Sequence, residues 1–508
     1  WRRPGMDDTL GTSLTWGRAL AGAVALVRAL RRRLHDQPRV GLLLPPSVGG
    51  ALANLALALL RKTAVNINPT ASETAMRSAV RQAELRTVLT TRAVLERFPV
   101  CADLSGLVFL EDIRKEISTG AKLLALVLAR FAPIRLLTPM RRAQADDEAL
   151  ILFSSGTTGE PKGVVLTHHN IASNVEGVSL LLRPRRNDRI AACLPFFHSF
   201  GLTCGLWLPA IAGIAVSYHP SPLDAAKVVS LVRDHRCTAL FSTPTFLQAY
   251  LRRSENGDFS SLRLIVAGAE RLPPALARAF EEKHGLPILE GYGATELSPV
   301  AALSVPDAET DGVYQAGHKP GSVGQPIPGV AARIVDPETN ALLPPNQAGL
   351  LIIRGPNVMA GYLNRPDLTA EAVRDGWYRT GDIATMDEES FITITDRMAR
   401  FSKIGGEMVP HRAVEDALHQ GLGVSEVVLA VSSVPCPRRG EQLVVLYTPA
   451  AGDIARLQEI LDRADLPNLW KPSPQAFVPV PALPVTGTGK LDVRELRRLA
   501  TEAMRSRP

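Results

Sequence analysis

The chain has 508 residues, of which 46% are apolar and 21% are charged, and its formal net charge is +7. This composition is ordinary for a soluble globular protein of several domains. The five cysteines lie far apart and form no C-x-x-C pair, which argues against a disulfide framework or a structural zinc site and favours reduced thiols in the cytoplasm. The basic balance suits an acidic partner. Aromatic residues are only 5% and no nucleic-acid motif is present, so we predict no nucleic-acid binding.

Short apolar strands alternate with Ala-rich helices along the first 290 residues, which predicts parallel α/β layers. The first helix is predicted within residues 12–35, with Thr15 as its N-cap. The predicted strands are 40–44, 64–69, 86–90, 149–153, 163–166, 190–194, 239–242, 262–267 and 288–291. Because the chain begins with Trp1 and shows no signal peptide, we expect it to be a segment of a longer polypeptide.

The pattern changes to short alternating strands between residues 329 and 395. A further unit follows, with strands predicted at 427–431 and 442–448 and a helix at 454–465. We therefore predict a large N-terminal domain, residues 1–395, with a β-rich subdomain at about 329–395. A second domain is predicted to occupy residues 396–508.

Residues 117–145 contain five bases and no acid, with an apolar cluster from Leu123 to Leu128 that is too short to cross a bilayer. Such a stretch can lie in a membrane interface, which would add a peripheral position at the inner membrane face to the cytoplasmic prediction. The alternative, which we place first, is an ordinary helix packed on the large domain.

The densest motif is Ser-Ser-Gly-Thr-Thr-Gly-Glu-Pro-Lys-Gly at residues 154–163, between two apolar runs that we interpret as buried strands. Its glycines let backbone N–H groups approach an anion, and its hydroxyls and Lys162 add donors and charge, so the loop suits a polyphosphate. A Walker A motif is excluded: counted from Gly156, Pro161 stands at the second glycine and Gly163 at the hydroxyl position. The remaining alternative is a plain flexible turn.

Further motifs follow strands or lie near the C-terminus. They are Pro195-Phe-Phe-His-Ser-Phe-Gly201, Ala267-Gly-Ala-Glu270, Gly291-Tyr-Gly-Ala-Thr-Glu296, Tyr378-Arg-Thr-Gly-Asp382 and Thr486-Gly-Thr-Gly-Lys490. In this order and spacing they resemble the adenylate-forming superfamily, which includes acyl- and aryl-CoA ligases, nonribosomal-peptide adenylation domains and luciferases. The resemblance covers essentially the whole chain.

The resemblance implies an α/β fold with a large N-terminal domain of stacked mixed sheets and helices, and a small mobile α+β domain, residues 396–508, with a hinge near 396–400. It also implies a two-step reaction. A carboxylate attacks the α-phosphate of ATP to give acyl-AMP and pyrophosphate, and a thiol then displaces AMP. ATP and Mg²⁺ are the implied cofactors, with Glu296 and Thr158 as metal ligands.

The resemblance assigns roles to individual residues. Thr295 would hydrogen-bond the α-phosphate, Lys490 would reach the charge that develops there, and Asp382 would bind the ribose with help from Arg397. The implied catalytic residues are Lys490, Thr295, Glu296, His198 and Lys403. The implied ATP- and AMP-binding residues are Ser154, Ser155, Gly156, Thr157, Thr158, Gly159, Lys162, Gly268, Ala269, Glu270, Gly291, Tyr292, Gly293, Thr295, Asp382, Arg397 and Lys490.

Two further sites are implied in the same way. The thiol tunnel would be lined by His198, Gly405 and Gly406, and the acyl pocket by Trp207, Phe246 and Leu247. At the hinge, Ala399 stands where the superfamily usually has Lys or Asp. Single residues keep their alternatives, which are a turn residue for Asp382, a helix cap for Glu296, a core histidine for His198 and a surface lysine for Lys490. The acyltransferase-like spacing His411-x-x-x-x-Asp416 is interpreted as chance, because positions five apart on a helix do not share a face.

Longer segments, within residues 195–208, 220–223, 237–247, 288–293 and 400–409, resemble the acyl–acyl-carrier-protein synthetase half of bacterial bifunctional enzymes that also carry a lysophospholipid acyltransferase. We therefore predict a fatty-acid ligase that loads the phosphopantetheine thiol of acyl carrier protein. The alternatives are a fatty acyl-CoA synthetase and a catalytically silent nucleotide- or acyl-binding module. The proposed docking residues for carrier protein are Arg400, Arg412, Arg438, Arg439 and Lys471, whose alternative is a solvated basic rim.

Overall fold

The structure, a computed structural model, describes residues 1–132, 144–154, 160–404, 407–424, 427–436, 440–484 and 491–505. The chain divides into two compact units. The N-terminal unit comprises Trp1–Ala332, Ile352–Arg379 and Glu388–Thr393, and the C-terminal unit comprises Arg333–Leu351, Thr380–Asp387 and Ile394–Pro508.

The described strands are β1 (Pro4–Asp8), β2 (Ser13–Thr15), β3 (Arg39–Leu42), β4 (Thr63–Asn66), β5 (Val88–Thr90), β6 (Leu107–Phe109), β7 (Glu148–Ser154), β8 (Lys162–Thr167), β9 (Arg189–Ala192), β10 (Ala215–Tyr218), β11 (Ala239–Ser242), β12 (Leu264–Ala267), β13 (Ile288–Gly293), β14 (Val300–Leu303), β15 (Ala308–Thr310), β16 (Val313–Gln315), β17 (Gln325–Pro326), β18 (Ala331–Val335), β19 (Gly349–Arg354), β20 (Gly361–Tyr362), β21 (Val373–Arg374), β22 (Trp377–Met386), β23 (Ile392–Arg397), β24 (Phe401–Ile404), β25 (Glu407–Pro410), β26 (Leu429–Cys436), β27 (Gly440–Tyr447) and β28 (Phe477–Pro479). The division between the units falls within β18, β19, β22 and β23.

The described helices are α1 (Trp16–Leu30), α2 (Val48–Leu60), α3 (Glu73–Gln82), α4 (Arg92–Arg97), α5 (Leu110–Glu116), α6 (Thr119–Phe131), α7 (His168–Leu182), α8 (Ser199–Leu202), α9 (Leu208–Ala212), α10 (Ala225–Asp234), α11 (Pro244–Arg253), α12 (Pro274–His284), α13 (Pro366–Ala372), α14 (His411–Leu422), α15 (Ile454–Arg463) and α16 (Val493–Arg505). The predicted N-cap of the first helix is confirmed, because the Thr15 side chain accepts a hydrogen bond of 3.3 Å from the Arg18 backbone N–H.

The larger sheet of the N-terminal unit has the order β17-β14-β13-β12-β11-β9-β10-β1-β2. Its middle strands, from β13 to β1, are all parallel, and antiparallel strands complete both edges. A parallel strand is covered on both faces, so it reads as a continuous apolar run such as the buried Ala-Leu-Phe-Ser of β11. Helices α10, α11 and α12 cover one face with side chains such as Val232, Tyr250 and Phe280.

The second sheet has the order β20-β8-β7-β4-β3-β5-β6. Strands β3 to β7 are parallel, as the sequence pattern predicts, but β8 runs antiparallel to β7 and β20 antiparallel to β8. The reversal follows from length, because only residues 155–161 join β7 to β8 and a parallel crossover needs a dozen or more. The predicted α/β class with mixed sheets is confirmed.

The C-terminal unit has a sheet of order β25-β24-β27-β26, with β28 parallel to β27. Helices α14 and α15 pack on one face through residues such as Leu418 and Leu461, and α16 packs on the other through Leu496 and Ala500. Strands β26 and β27 therefore bury side chains on both of their faces.

Two further facts bear on the sequence analysis. All five cysteines are free thiols, and four of them are buried. Within the described ranges, no helix combines the length and the apolar character that a bilayer crossing requires.

Candidate active site

The hydroxyl-rich loop is anchored at both ends. Ser154 at the end of β7 lies opposite Lys162 at the start of β8, and the Ser154 hydroxyl donates to the Lys162 carbonyl at 3.5 Å. On the outgoing side, the Gln82 side-chain amide of α3 donates to the Pro161 carbonyl at 3.0 Å. The predicted phosphate-binding residues Ser155, Gly156, Thr157, Thr158 and Gly159 lie outside the described residues. The structure thus fixes the two ends of this loop.

Lys162 and Glu296, both predicted from the sequence, are linked through a residue that the sequence analysis did not identify, Tyr362. The Lys162 ammonium lies 5.2 Å from the centre of the Tyr362 ring, and the Tyr362 hydroxyl donates to the Glu296 carboxylate at 2.9 Å. Burial, together with the negative charge of Glu296, raises the pKa of Tyr362 well above its usual range, so the hydroxyl stays protonated as a donor. The position of Tyr362 follows from β20, where it pairs with Val164 of β8.

Thr295 and Glu296 begin the short 3₁₀ helix Thr295–Leu297, directly after β13. The Ser199 hydroxyl donates to the Thr295 hydroxyl at 3.5 Å, and the Glu296 carbonyl accepts from the Met359 backbone N–H at 2.8 Å. These bonds hold the turn from α8 on one side and from the segment before β20 on the other. The Glu296 carboxylate accepts a hydrogen bond from the Tyr362 hydroxyl. The alternative that Glu296 only caps the following helix does not account for this hydrogen bond.

Several of the predicted ATP- and AMP-binding residues lie at the ends of the neighbouring strands β12 and β13. Gly268 follows β12, and a Cβ there would lie 3.3 Å from Phe200 and 3.4 Å from the Gly291 carbonyl. A Cβ on Gly293 would lie only 2.1 Å from the Pro299 carbonyl, so this position requires glycine. Ala269 has a φ of 67°, in the left-handed region that non-glycine residues rarely adopt. Such strain clusters at ligand-binding sites.

Two other predicted nucleotide residues have different surroundings. Tyr292 lies between Gly291 and Gly293 in β13 and is half-buried. Glu270 accepts from the Thr245 backbone N–H at 3.2 Å and from its hydroxyl at 2.6 Å. Because Thr245 lies in the first turn of α11, the Glu270 carboxylate compensates the positive end of that helix.

His198 immediately precedes α8 and is exposed, with its ring 4.7 Å from the ring of Phe197. The alternative that His198 is a buried core histidine is therefore wrong, because its side chain is exposed to solvent. Of the other predicted tunnel residues, Gly405 and Gly406 lie outside the described residues. Lys403 is in β24, but its side chain is not described.

The predicted acyl-pocket residues come from two elements. Trp207 ends the π-helical turn Thr203–Trp207, and its indole Nε1 is buried without a hydrogen-bond partner among the described residues. Phe246 and Leu247 lie on α11, where Leu247 is fully buried in the core beside β11 and Phe246 packs against that core. π-Helical turns are frequent at functional sites.

In the C-terminal unit, Asp382 lies within the long strand β22, so the turn alternative for this residue is wrong. The Thr380 hydroxyl accepts from the Asp382 backbone N–H at 3.0 Å and donates to the Leu351 carbonyl at 2.8 Å. Arg397 ends β23 and its side chain is not described, and Lys490 lies outside the described residues.

These features fit a nucleotide. Gly268, Gly291 and Thr295 all lie at the carboxyl ends of neighbouring strands, the usual ligand edge of a parallel sheet. The Thr243 hydroxyl, which follows β11, is buried without a partner within the described ranges and could serve a ligand. For Mg²⁺, the described residues hold no cluster of three or more metal-ligating side chains. A single carboxylate such as Glu296 nevertheless fits, because Mg²⁺ takes one or two carboxylates together with phosphate oxygens.

One predicted docking residue is in the wrong environment. The Arg400 side chain is only 14% exposed and forms ion pairs with Glu415 and Asp396, so little of it is available to an exposed basic surface. Burial opposes its charge, but the two carboxylates outweigh this and raise the pKa of Arg400. Lys471 donates to the Asp462 and Ala464 carbonyls, and Arg412 is partly exposed. Arg438 and Arg439 lie outside the described residues.

The His411-x-x-x-x-Asp416 pair has no common function in the structure. His411 is buried and hydrogen-bonds the Ser402 hydroxyl at 2.6 Å, whereas Asp416 is exposed and lies 3.9 Å from Arg412. Because the two side chains have different environments and different partners, the structure agrees with the interpretation of the His-x-x-x-x-Asp spacing as chance.

Comparison with known proteins gives a consistent result. Residues 3–363 match the sequence model of the family described as AMP-binding enzyme. The long-chain-fatty-acid–CoA ligase of Bacillus subtilis (strain 168) is 34% identical over 363 residues, which is 70% of this chain and 62% of that protein. The feruloyl-CoA synthase of an Amycolatopsis species is 35% identical over 360 residues, 70% of each chain. The match therefore spans less than two thirds of the first of these relatives.

The fold comparison extends further along the chain. The ATP-bound crystal structure of MatB from Rhodopseudomonas palustris aligns with a TM-score of 0.79 at 26% identity, over 98% of this chain and 95% of that one. The o-succinylbenzoate-CoA synthetase MenE from Bacillus subtilis aligns with a TM-score of 0.80 at 23% identity, over 97% and 95%. The second match supports the fold alone.

Proposed function

Because the chain belongs to the AMP-binding enzyme family, we propose that it activates a fatty acid with ATP and transfers the acyl group to a phosphopantetheine thiol. The observation that carries this proposal is the arrangement of Lys162 and Glu296 around Tyr362, at the base of the hydroxyl-rich loop. It combines a cation for phosphate oxygens with a carboxylate for a divalent ion.

The proposed reaction has two balanced steps. In the first, a carboxylate oxygen of the fatty acid forms a bond to the α-phosphorus of ATP, and the bond to the bridging oxygen breaks so that pyrophosphate leaves with the electron pair. In the second, the thiol loses its proton and attacks the acyl carbon, and the acyl–oxygen bond breaks to release AMP. The products are a thioester, AMP and pyrophosphate.

The chain's own residues would bind and orient these groups. Lys162 would contact phosphate oxygens, and the hydroxyl of Thr295, which accepts from Ser199, would donate to the α-phosphate. Mg²⁺, when bound, neutralises phosphate charge, and Glu296 would hold it. Lys490 and Lys403 keep the catalytic roles assigned from the sequence, on the proposed mobile domain 396–508 with its hinge near 396–400.

For the acyl group we propose a long-chain fatty acid, since the relatives with matching sequence include long-chain-fatty-acid–CoA ligases. A feruloyl-CoA synthase matches equally well, so an aromatic acid is the second candidate. A catalytically silent binding module is disfavoured because Lys162, Glu296 and Asp382 are all present.

For the acceptor we place coenzyme A first and acyl carrier protein second. Both carry the same phosphopantetheine thiol, and the names of the matched relatives specify coenzyme A. The burial of Arg400 removes one residue from the basic surface that a carrier protein would need. Carrier protein as the acceptor is supported by the resemblance of segments such as 195–208 and 400–409 to acyl–acyl-carrier-protein synthetases.

The test is a panel of fatty and aromatic acids with ATP, Mg²⁺ and either acceptor, with thioester formation as the readout. We expect kcat/KM to be highest for a long-chain acid with coenzyme A. Higher kcat/KM with carrier protein at physiological salt would reverse the order of the acceptors. The absence of AMP release with every acid would contradict the proposed function itself.

A second test separates the two reaction steps with variants in the proposed C-terminal domain. We expect Lys490→Ala to abolish formation of acyl-AMP but to spare thioester formation from supplied acyl-AMP, because only the first step builds charge at the α-phosphate. Gly406→Leu should do the reverse by blocking the thiol tunnel. Equal loss of both steps in both variants would contradict the two-step assignment.

A further inference from the structure

Helix α6 packs on the N-terminal unit but exposes most of its large apolar side chains to solvent. On the inward face, Ala125 is fully buried against Val24 and Ala25 of α1, and Leu128 and Ala129 pack beside it while partly buried. Its outward face is large and apolar. Leu123, Val127 and Phe131 are spaced four apart and therefore share one face, where they are 64%, 48% and 74% exposed.

The helix does pack on the N-terminal unit, as the alternative placed first in the sequence analysis expects, but its outward face differs from that of an ordinary amphipathic helix. Such a helix would bury its leucines and expose its polar residues. In α6, Leu124 and Leu126 are exposed as well, so the apolar face is contiguous along the helix. A contiguous exposed apolar face marks a contact surface. With 13 residues, α6 is too short to cross a bilayer and could only lie along one.

The bases around this face are also arranged along one surface. The Arg130 guanidinium lies 5.1 Å from the Phe131 ring centre and 5.7 Å from that of Trp1, which is itself half exposed. Lys122 is exposed near the start of α6. On α1, Arg28 follows Val24 by one helical turn and is exposed.

The acidic residue closest in sequence to α6, Glu116, does not offset these charges. Both of its carboxylate oxygens accept from Arg33, at 2.7 and 2.8 Å. Residues 117–145 contain no other acid. Among the described residues, Lys122, Arg130 and Arg28 form no ion pair with an acid, so positive charge borders the apolar face of α6.

We propose that α6 docks the protein on an anionic lipid surface, with Leu123, Val127 and Phe131 inserted at the boundary of the acyl chains and Lys122, Arg130 and Arg28 at the phosphate level. This geometry is the one that interfacial helices adopt. A second copy of the chain fits less well, because a symmetric contact through α6 would bring like charges together. The inference rests on the proposed function only in that a fatty-acid substrate would partition into the same bilayer.

Sedimentation with vesicles tests this proposal. The full chain should bind vesicles of phosphatidylglycerol in phosphatidylcholine, bind phosphatidylcholine alone weakly, and be released as salt rises. The combined variant Leu123→Gln, Val127→Gln and Phe131→Gln should lower the partition constant at least about tenfold. Because these side chains already face outward, the variant should fold as the wild type does, which its thermal transition would verify.

A matched control changes three exposed apolar residues elsewhere in the same unit, Leu180→Gln, Ile211→Gln and Leu223→Gln, and should leave binding unchanged. Replacing Lys122 and Arg130 by Gln should weaken binding to the anionic vesicles only. A brominated lipid should quench fluorescence from Trp1, which lies beside Arg130, and Trp1→Phe should remove that part of the quenching.

The outcomes separate this proposal from the proposed function. All of these variants should keep the wild-type rate of AMP formation with a water-soluble short-chain acid in the absence of vesicles. Equal partitioning of wild type and the α6 triple variant would overturn the docking proposal, whatever the activity. Formation of a dimer that the triple variant dissociates would also overturn it, by identifying a second copy as the occupant. Vesicle binding without any acid-dependent AMP release would support docking and contradict the enzymatic proposal.

Discussion

The Tyr362 hydroxyl donates a hydrogen bond of 2.9 Å to the Glu296 carboxylate, and the same ring lies 5.2 Å from the Lys162 ammonium. Tyr362 therefore contacts the two charged groups that the proposed reaction uses at the phosphates. Its hydroxyl restricts the orientation of the carboxylate, and its ring provides a surface for the ammonium. We interpret Tyr362 as a positioning residue for both.

The first prediction concerns Tyr362→Phe. The ring and its contact with Lys162 would remain, but Glu296 would lose a donor, a loss typically worth about 1.5–3 kcal/mol for a charged partner. We expect kcat/KM for acyl-AMP formation to fall about tenfold or more and the Mg²⁺ concentration for half-maximal rate to rise. Steady-state kinetics over a range of Mg²⁺ concentrations would measure both.

Tyr314→Phe is the matched control, because the Tyr314 hydroxyl also donates to a carboxylate, that of Asp307, but on the exposed β15–β16 hairpin. It should leave kcat/KM and the Mg²⁺ dependence unchanged. An unchanged Mg²⁺ dependence in Tyr362→Phe would show that Tyr362 does not position Glu296 for the metal.

The second prediction concerns Gly293. In Gly293→Ala, the new Cβ would lie 2.1 Å from the Pro299 carbonyl oxygen, so the backbone before Thr295 must move. Overpacking of this kind costs about 1–3 kcal/mol, and we expect both a lower melting temperature and a loss of acyl-AMP formation. Gly49→Ala is the control: its Cβ would meet nothing closer than 3.9 Å within helix α2, and it should stabilise slightly. Normal activity in Gly293→Ala would contradict the assigned role of this turn.

The third prediction concerns the buried ion pairs of the C-terminal unit. Arg400→Ala would leave the carboxylate of Glu415 buried without its cation, a change that typically costs about 3–5 kcal/mol. Arg412→Ala is the control, because Arg412 is partly exposed and its pair with the exposed Asp416 is long, so a loss of less than about 1 kcal/mol is expected. Denaturant titration of both variants would measure the difference. Equal stability would mean that Arg400 does not stabilise the unit.

The fourth prediction is a pH dependence that originates at His411. Burial, with Arg400 nearby, lowers the pKa of His411 to about 3, whereas the unfolded chain has a value near 6.5. Between these values the unfolded state binds a proton that the folded state excludes. The contribution of neutral His411 to the free energy of unfolding is therefore complete above about pH 6.5 and is lost as the pH falls below that value. From pH 7 to pH 5 the loss should be about 2 kcal/mol.

Hydrogen exchange at the amides of α14 and β26, corrected for intrinsic rates, would measure this loss. His411→Gln keeps a polar group near Ser402 but cannot titrate, so its stability should change less over the same interval. An identical pH dependence in wild type and variant would assign the titration to other groups.

Much of the N-terminal unit could be predicted from local patterns, because strands buried on both faces are continuous apolar runs and helices between them carry caps such as Thr15. The direction of β8 was not predicted. It depends on the length of the connection from β7, and a pattern of apolar residues is the same in either direction.

The candidate site was predicted only in part. Lys162, Thr295 and Glu296 belong to recognisable motifs, but Tyr362 reaches them through pairing between β20 and β8, which are about 200 residues apart. Gln82 reaches the loop through tertiary packing in the same way. The burial of Arg400 was also missed, because a sequence does not show which charges meet a partner inside the fold.

The central claim, that this chain forms an acyl adenylate, is tested most directly by exchange of labelled pyrophosphate into ATP. The exchange needs only the first step and no thiol acceptor. We predict exchange in the wild type that depends on added fatty acid and on Mg²⁺, and at least about a hundredfold slower exchange in Glu296→Gln. Absence of acid-dependent exchange with every carboxylic acid tested, or undiminished exchange in folded Glu296→Gln, would contradict the account.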